Sequence, residues 1–188
     1  MLSDEELLRQ IAAGNAAGME TLVYRYHKAI YVYLLRMTGN SYVAEDLTQE
    51  CFLRLYNAVL GGKYPASCRP WIYRIATNLC KDRWKSAGFR NEAAWEEDGI
   101  ARTSDEEAPV SLLERQWERE RVIQALSEIP DDEREIVILR FYQELKLDEI
   151  AETVEIPLST VKTKLYRAFK RLAALLKEED GYERAEKR

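Results

Sequence analysis

With 188 residues the chain can hold one large or two small domains, each burying a core. Three cysteines without C-x-x-C spacing and a single histidine, His27, argue against a zinc site and for buried thiols in a reducing compartment. The net charge is −5, but its distribution does not exclude a nucleic-acid partner: residues 1–88 carry +3, 89–112 carry −5, and 113–188 carry −3 with a basic stretch inside.

The opening MLSDEELL is acidic, unlike a signal peptide, and the longest apolar run, Ala29–Leu35, is too short to cross a bilayer. The expectation is a soluble cytoplasmic protein that inserts no segment into a membrane. Ser3 with Glu6 forms a capping box that opens a short helix closing near Gly14. Met19, Leu22, Val23, Tyr26, Ile30, Tyr33, Leu34 and Met37 then keep helical spacing up to Gly39. His27 sits within that helix as a surface or core-edge residue.

A third helix runs from Ser41 to about Leu60. Val43, Leu47, Cys51, Phe52, Leu55 and Val59 take one half of it, while Asp46, Gln49, Glu50, Leu53 and Asn57 cluster on the other. A Leu framed by carboxylates and an amide reads equally as an ordinary exposed side chain or as a docking face for a basic helix. Gly61-Gly62 ends this helix, and Pro70 suits the first turn of the next. In that fourth helix Ile72, Ile75, Ala76 and Leu79 form the buried side. Trp71, Arg74, Asn78, Lys81 and Lys85 follow a 3-4-3-4 spacing on the other. An aromatic in line with cations suits unstacked bases on a phosphate backbone; packing of Trp71 at the core edge is the equal alternative.

Periodicity fails from Phe89 to Val110, an acidic stretch with Gly, Ser and Pro that reads as a flexible linker. Extended, it spans at most roughly 75–80 Å, more than two duplex turns of about 34 Å each. Ser111 with Glu114 opens another helix to about Glu128; Pro130 interrupts, and Asp131, Asp132 and Glu133 restart a helix against its dipole. Leu145–Leu172 reads as two helices joined by a turn. In the second, Leu165, Ala168 and Leu172 lie within about 40° of Val161 around the helix. Ser159, Thr160, Thr163, Tyr166, Arg167, Lys170 and Arg171 face away. From Pro157 to Lys177 there are six Lys or Arg and no acid. Hydroxyls and cations on an apolar-backed helix, braced by Leu147, Ile150, Ala151 and Val154, favour a DNA-reading helix-turn-helix over a merely solvated basic face. The charged tail after Lys177 is expected to fray. No strand pattern occurs, so the fold class is all-α: two small helical domains joined by a flexible acidic linker, the C-terminal one a helix-turn-helix. No phosphate-binding loop, nucleophile elbow or metal spacing is present, and neither a catalytic site, a metal nor a cofactor is expected.

Four stretches in order, YRYHKAIYVYLLRMTGN, AEDLTQECFLRLY, RPWIYRIATNLCKDRWK and LSEIPDDEREIVILRFYQELKLDEIAETVEIPLSTVKTKLYRAFKRL, give the chain a family likeness. It resembles the extracytoplasmic-function (group IV) sigma factors of bacterial RNA polymerase, in the sigma-70 family, over nearly its whole length. The resemblance implies region 2 over residues 1–88, a linker over 89–112, region 4 over 113–180 and a charged tail over 181–188. It implies that Asp46, Gln49, Glu50 and Phe52, with Leu53 beside them, dock onto the β′ coiled coil of core RNA polymerase, whose β subunit is a further partner. Asn78, Lys81, Asp82 and Arg83, with Trp71 and Arg74, would face the −10 promoter strand; Tyr64 and Ser67 would stand in the loop that captures a flipped base. Ser159, Thr160, Lys162, Thr163 and Arg167 would read the −35 duplex. Promoter-specific initiation under an anti-sigma factor follows, with RNA synthesis left to the polymerase.

Two positions depart from the family pattern. Glu155 stands at the helix-turn-helix turn where Gly is usual, and a left-handed backbone there costs a non-Gly residue roughly 1–2 kcal/mol. Lys162 replaces the frequent Arg and lacks its bidentate fork, which favours a phosphate contact over guanine readout. A simple helix-turn-helix regulator would explain Leu145–Leu172 but neither the Trp71–cation stripe nor the Asp46–Glu50 face. A protein-only adaptor would need no DNA-reading helix.

Overall fold

The computed structural model describes residues 2–65, 67–85 and 121–186, with side chains as far as 177. The acidic stretch 89–110 and the Ser111–Glu114 capping box lie outside the described residues. Everything regular among the described residues is helical: α1 Asp4–Ala12, α2 Ala16–Thr38, α3 Ser41–Leu60, α4 Cys68–Lys85, α5 over 121–128, α6 Asp131–Phe141, α7 Leu147–Val154 and α8 Leu158–Glu186.

Local chemistry explains the boundaries. Ser3 and Glu6 close the capping box, the Glu6 amide donating to Ser3 Oγ at 3.2 Å and the Ser3 amide to Glu6 Oε2 at 2.7 Å. Asn15 and Asn40 accept from the first-turn amides of α2 and α3. Gly39 ends α2 with φ 68°, a left-handed cap that glycine adopts without strain. The acids at the start of α6 face its positive dipole end. One expectation is corrected: α8 continues to Glu186 rather than fraying after Lys177.

Helices α1–α4 pack around Leu7, Leu8, Ile11, Leu22, Ile30, Tyr33, Leu34, Leu55 and Ile72, all essentially inaccessible to water. Tyr33 donates to or accepts from Thr77 at 2.7 Å and meets the Tyr73 ring edge-on at 5.6 Å, so its one polar atom is satisfied in an apolar site. A second cluster forms where Leu126, Ile129 and Val137 meet Ala168 of α8, with Leu165, Leu172 and Leu175 packed against it.

The two halves do not stand apart. Ile136, Ile138, Leu139, Leu145, Ile150 and Val161 belong to the same buried cluster as the core of α1–α4. Helix α4 therefore has a second covered side, against α6 and α7. Across that seam Tyr73 Oη donates to Gln143 Oε1 at 2.8 Å, Thr153 Oγ1 donates to the Pro70 carbonyl at 3.3 Å, and Arg69 Nη2 donates to the Gln143 carbonyl at 2.5 Å. Arg36 lies over the Tyr142 ring, 3.9 Å from its centroid.

Ile72 is fully buried in this shared core. Ile72→Ala should lower unfolding free energy by about 2–5 kcal/mol, since a buried Ile loses both its transfer energy and the cavity left behind; urea unfolding of the full chain measures it.

Candidate nucleic-acid interface

Helix α8 is amphipathic in the phase that its sequence predicts. Val161 and Ala168 are buried and Leu165 and Leu172 half-buried, while Ser159, Lys162, Thr163, Tyr166, Arg167, Lys170 and Arg171 are exposed and Thr160 is half-exposed. From Ser159 to Lys170 this face runs roughly 16 Å along the axis, long enough to lie in a major groove about 12 Å wide. The helix is tied to α6 by two ion pairs: Lys164 pairs with Asp132, and Arg171 Nε, at the edge of the exposed face, lies 3.1 Å from Glu133 Oε2. Two of the six cations are thus occupied in orienting the helix, while Lys162, Arg167 and Lys170 have no ion pair among the described residues. The Thr163 hydroxyl donates to the Ser159 carbonyl at 3.0 Å, which fixes its rotamer.

The turn before α8 is left-handed at Glu155, φ 56° and ψ 41°. The amide of Glu155 closes onto the Ala151 carbonyl, and that of Ile156 onto the same oxygen at 3.2 Å. The residue that departs from Gly thus adopts the conformation Gly would supply, and its Oε1 lies 3.2 Å from Arg74 Nη1 of α4. Glu144, at φ 54°, is a second non-Gly residue in this region.

On α4 the anticipated stripe is only partly open. Asn78, Asp82 and Arg83 are exposed. Trp71, one alternative for which was an outward aromatic, is 7% exposed and belongs to the core cluster. Arg74 and Lys81 face α6–α7, Lys81 Nζ lying 3.3 Å from Glu135 Oε2. Asp82 stands 3.8 Å from Arg54. Ser67 is exposed in the preceding loop and Tyr64 is half-buried against the core.

Helix α3 presents Asp46, Gln49 and Leu53 outward, Leu53 at 54% exposure, with Glu50 held to Arg54 at 2.7 Å. Phe52 lies beneath, 6% exposed, with the His27 ring stacked over it at 6.2 Å. Beside Leu53 an open apolar groove of about 680 Å³ runs between α2 and α3, lined by Met19, Val23, Tyr24, Phe52, Leu53 and Tyr56. Sequence reasoning missed the α2 side of it, because Met19 and Val23 keep the spacing of core residues. Tyr24, 91% exposed, was the one available signal.

No group of acids, histidines and cysteines among the described residues has metal-binding geometry. Cys51, Cys68 and Cys80 are buried and unpaired, and burial pushes the Cys51 and Cys68 thiols up to about 12, far from a reactive thiolate at neutral pH. No described helix is long and apolar enough to cross a membrane.

Comparison with known proteins shows the family of the chain. Family models for sigma-70 region 2 and sigma-70 region 4 match residues 22–90 and 119–172. The ECF RNA polymerase sigma factor SigW of Bacillus subtilis is 30% identical over 91% of this chain and 95% of its own. The chain belongs to the extracytoplasmic-function sigma factors of the sigma-70 family. The RNA polymerase sigma-H factor of Pseudomonas aeruginosa is similar too, 27% identical over 88% of this chain and 89% of its own. Among solved structures, CnrH in complex with the cytosolic domain of CnrY shares the fold, with a TM-score of 0.70 at 21% identity over 93% of this chain and 97% of that one. So does RpoE of Bartonella quintana in complex with the anti-sigma factor NepR, with a TM-score of 0.63 at 21% identity over 84% of this chain and 96% of that one. In this sigma factor most of α2 and all of α3 and α4 fall within region 2, and α6, α7 and most of the basic face of α8 within region 4.

Two outcomes follow from the seam between them. Glu155→Gly removes left-handed strain of roughly 1–2 kcal/mol and an exposed ion pair worth under about 1 kcal/mol. The melting temperature should hold or rise by about 3 °C, read by calorimetry. Burial raises the Glu135 carboxyl above its ordinary range, against the opposing charge of Lys81. A raised folded value contributes stability at low pH that is lost as pH rises through it. Urea unfolding across a pH series should therefore show the native chain losing stability relative to Glu135→Gln as pH rises through the carboxylate range.

Proposed function

We propose that this sigma factor, of the group IV type, docks on core RNA polymerase, reads −35 duplex DNA with α8 and captures the −10 non-template strand with α4. The observation that carries this reading is the outward face of α8, where Ser159, Thr160, Lys162, Thr163 and Arg167 stand on an apolar back anchored to α6. The hydroxyls suit base edges; Lys162 suits a phosphate, and Arg167 either a phosphate or a guanine edge.

Region 2 is assigned to residues 1–88, the linker to 89–112, region 4 to 113–180 and the tail to 181–188. Asp46, Gln49, Glu50 and Leu53 form the docking face for the β′ coiled coil, with Phe52 supporting Leu53 from beneath, and the apolar groove extends that face. The β subunit of the polymerase is a further partner. Tyr64, Ser67, Trp71, Arg74, Asn78, Lys81, Asp82 and Arg83 serve the −10 strand. The mechanism is positional: opening DNA costs about 1.4 kcal/mol of stacking per step, and each base stacked on protein returns about 1–3 kcal/mol. A few captured bases offset a few opened steps, and the chain itself catalyses nothing. An anti-sigma factor is the expected regulator, in keeping with the two related folds solved with such partners or a partner's cytosolic domain. The cytoplasm, where polymerase and promoter are, is the expected location.

Reconstitution of core polymerase with this protein on a promoter library tests the reading: specific initiation is expected, and repressor-like binding by the protein alone, without initiation, overturns it. Arg167→Ala should cut −35-dependent initiation by about 10-fold or more, a loss of about 1–3 kcal/mol, with core binding kept. Joint substitution of Gln49 and Glu50 by Ala should instead weaken core binding, measured by fluorescence anisotropy; unchanged affinity removes that face from the interface.

A further inference from the structure

Helix α3 carries a second regularity on its outward side. Tyr42, Asp46, Gln49, Leu53, Tyr56 and Leu60 follow one another at spacings of 4-3-4-3-4, the alternation of a coiled-coil contact. Around the helix all of them fall within about 40° of Tyr42. Tyr42 is 75% exposed, Leu53 54% and Leu60 48%, while Tyr56 is half-buried as a wall of the apolar groove. Asp46 and Gln49 stand exposed between them. The core takes the opposite side of the same helix through Ala44, Cys51, Leu55 and Val59. From Tyr42 to Leu60 the stripe runs about 27 Å along the axis. A single exposed Tyr or Leu needs no explanation. Tyr42, Leu53 and Leu60 at coiled-coil positions of one helix, with polar side chains between them, make a surface shaped for a second helix.

We infer that polymerase docking uses this stripe along its whole length, with Tyr42 and Leu60 as its end anchors and one helix of the β′ coiled coil lying along it. This rests on the assignment of Asp46, Gln49, Glu50 and Leu53 to polymerase docking. It extends that face by about one turn at the Tyr42 end and about two turns at the Leu60 end. Helices that meet through such spacing pack at a shallow angle of about 20°, so contact continues along the axis and the occupant is a helix. Its chemistry follows from the stripe: apolar side chains opposite Tyr42 and opposite Leu53 to Leu60, and a cation opposite Asp46. Glu50, at the edge of the stripe, is already paired with Arg54 at 2.7 Å, whereas Asp46 has no ion pair among the described residues. The ring of Tyr42 and the side chain of Leu60 close the ends of the contact against water, which strengthens an ion pair in the middle.

Two measurements on the full-length chain with core polymerase test this. In fluorescence anisotropy, Tyr42→Ala and Leu60→Ala should each weaken core binding about 10-fold, and Tyr42→Phe, which keeps the ring, should stay within about 2-fold of the unaltered chain. Leu2→Ala, which removes a comparably exposed side chain (47%) away from the stripe, should change nothing. All these side chains are exposed, and circular dichroism verifies that each variant is folded. Tyr42→p-benzoylphenylalanine and, in a separate chain, Leu60→p-benzoylphenylalanine report the geometry under ultraviolet light. Their crosslinks should fall on one helix of β′, about 18 residues apart. Crosslinks within one turn of each other, or on different subunits, overturn the lengthwise helix. Unchanged affinity in Tyr42→Ala or in Leu60→Ala removes that end and overturns the full-length stripe. If Gln49→Ala with Glu50→Ala still weakens core binding in that case, the docking face stands as a short central patch. If those substitutions are silent too, the assignment of α3 to the polymerase falls with the stripe.

Discussion

The hydroxyl of Tyr73 donates to the side-chain carbonyl of Gln143 across a seam where both residues are buried, joining positions 70 apart in the chain. Apolar contact alone would let α6–α7 slide along α4 at small cost. A buried polar atom left without its partner costs about 1–3 kcal/mol, so this bond selects one register. The Arg69 contact to the Gln143 carbonyl and the Thr153 contact to the Pro70 carbonyl add directional constraints beside it. The rest of the arrangement depends on that register, because it brings Glu155 to Arg74 and Glu135 to Lys81.

The consequence is a sorting of surfaces by exposure. Helix α8 is held from behind by Asp132 and Glu133 and turns its hydroxyls and remaining cations outward. Helix α3 carries Leu53 between an acid and an amide on the open side, over Phe52 and next to the apolar groove. Helix α4 is enclosed on two sides. The pairs at its seam are partly exposed, Glu155 at 62% and Lys81 at 35%, so their individual worth is modest and salt would weaken them. A seam of this kind is closed by an apolar core and tuned by charge.

Much of the local structure was legible in the residues. The Ser3–Glu6 box, the Gly39 stop and the acids opening α6 each act within one helical turn, and each stands where the residues place it. The phase of α8 was legible for the same reason: Val161, Leu165, Ala168 and Leu172 share a stripe, and a helix can bury only one such stripe against its neighbour. Trp71 was only half legible. Its spacing puts it with Arg74 and Lys81, and packing at the core edge and an outward aromatic were equal alternatives until the folded chain buried it. The groove on α2 escaped notice because core spacing does not tell whether a neighbouring helix covers Met19 and Val23 or stops short of them.

The residues by themselves determined the helices, most of their ends, the outward phase of α8 and the family to which the chain belongs, because these depend on interactions within a few positions or on stretches long enough to be recognised. Tertiary structure alone decided that α4 is shared between two packed halves, that Glu155 pairs with Arg74, and that Glu135 is buried against Lys81. Those partners lie 54 to 81 positions apart. No periodicity couples residues at that range; their meeting depends on the sum of many weak apolar contacts and a few buried hydrogen bonds, which exists only once the chain has folded.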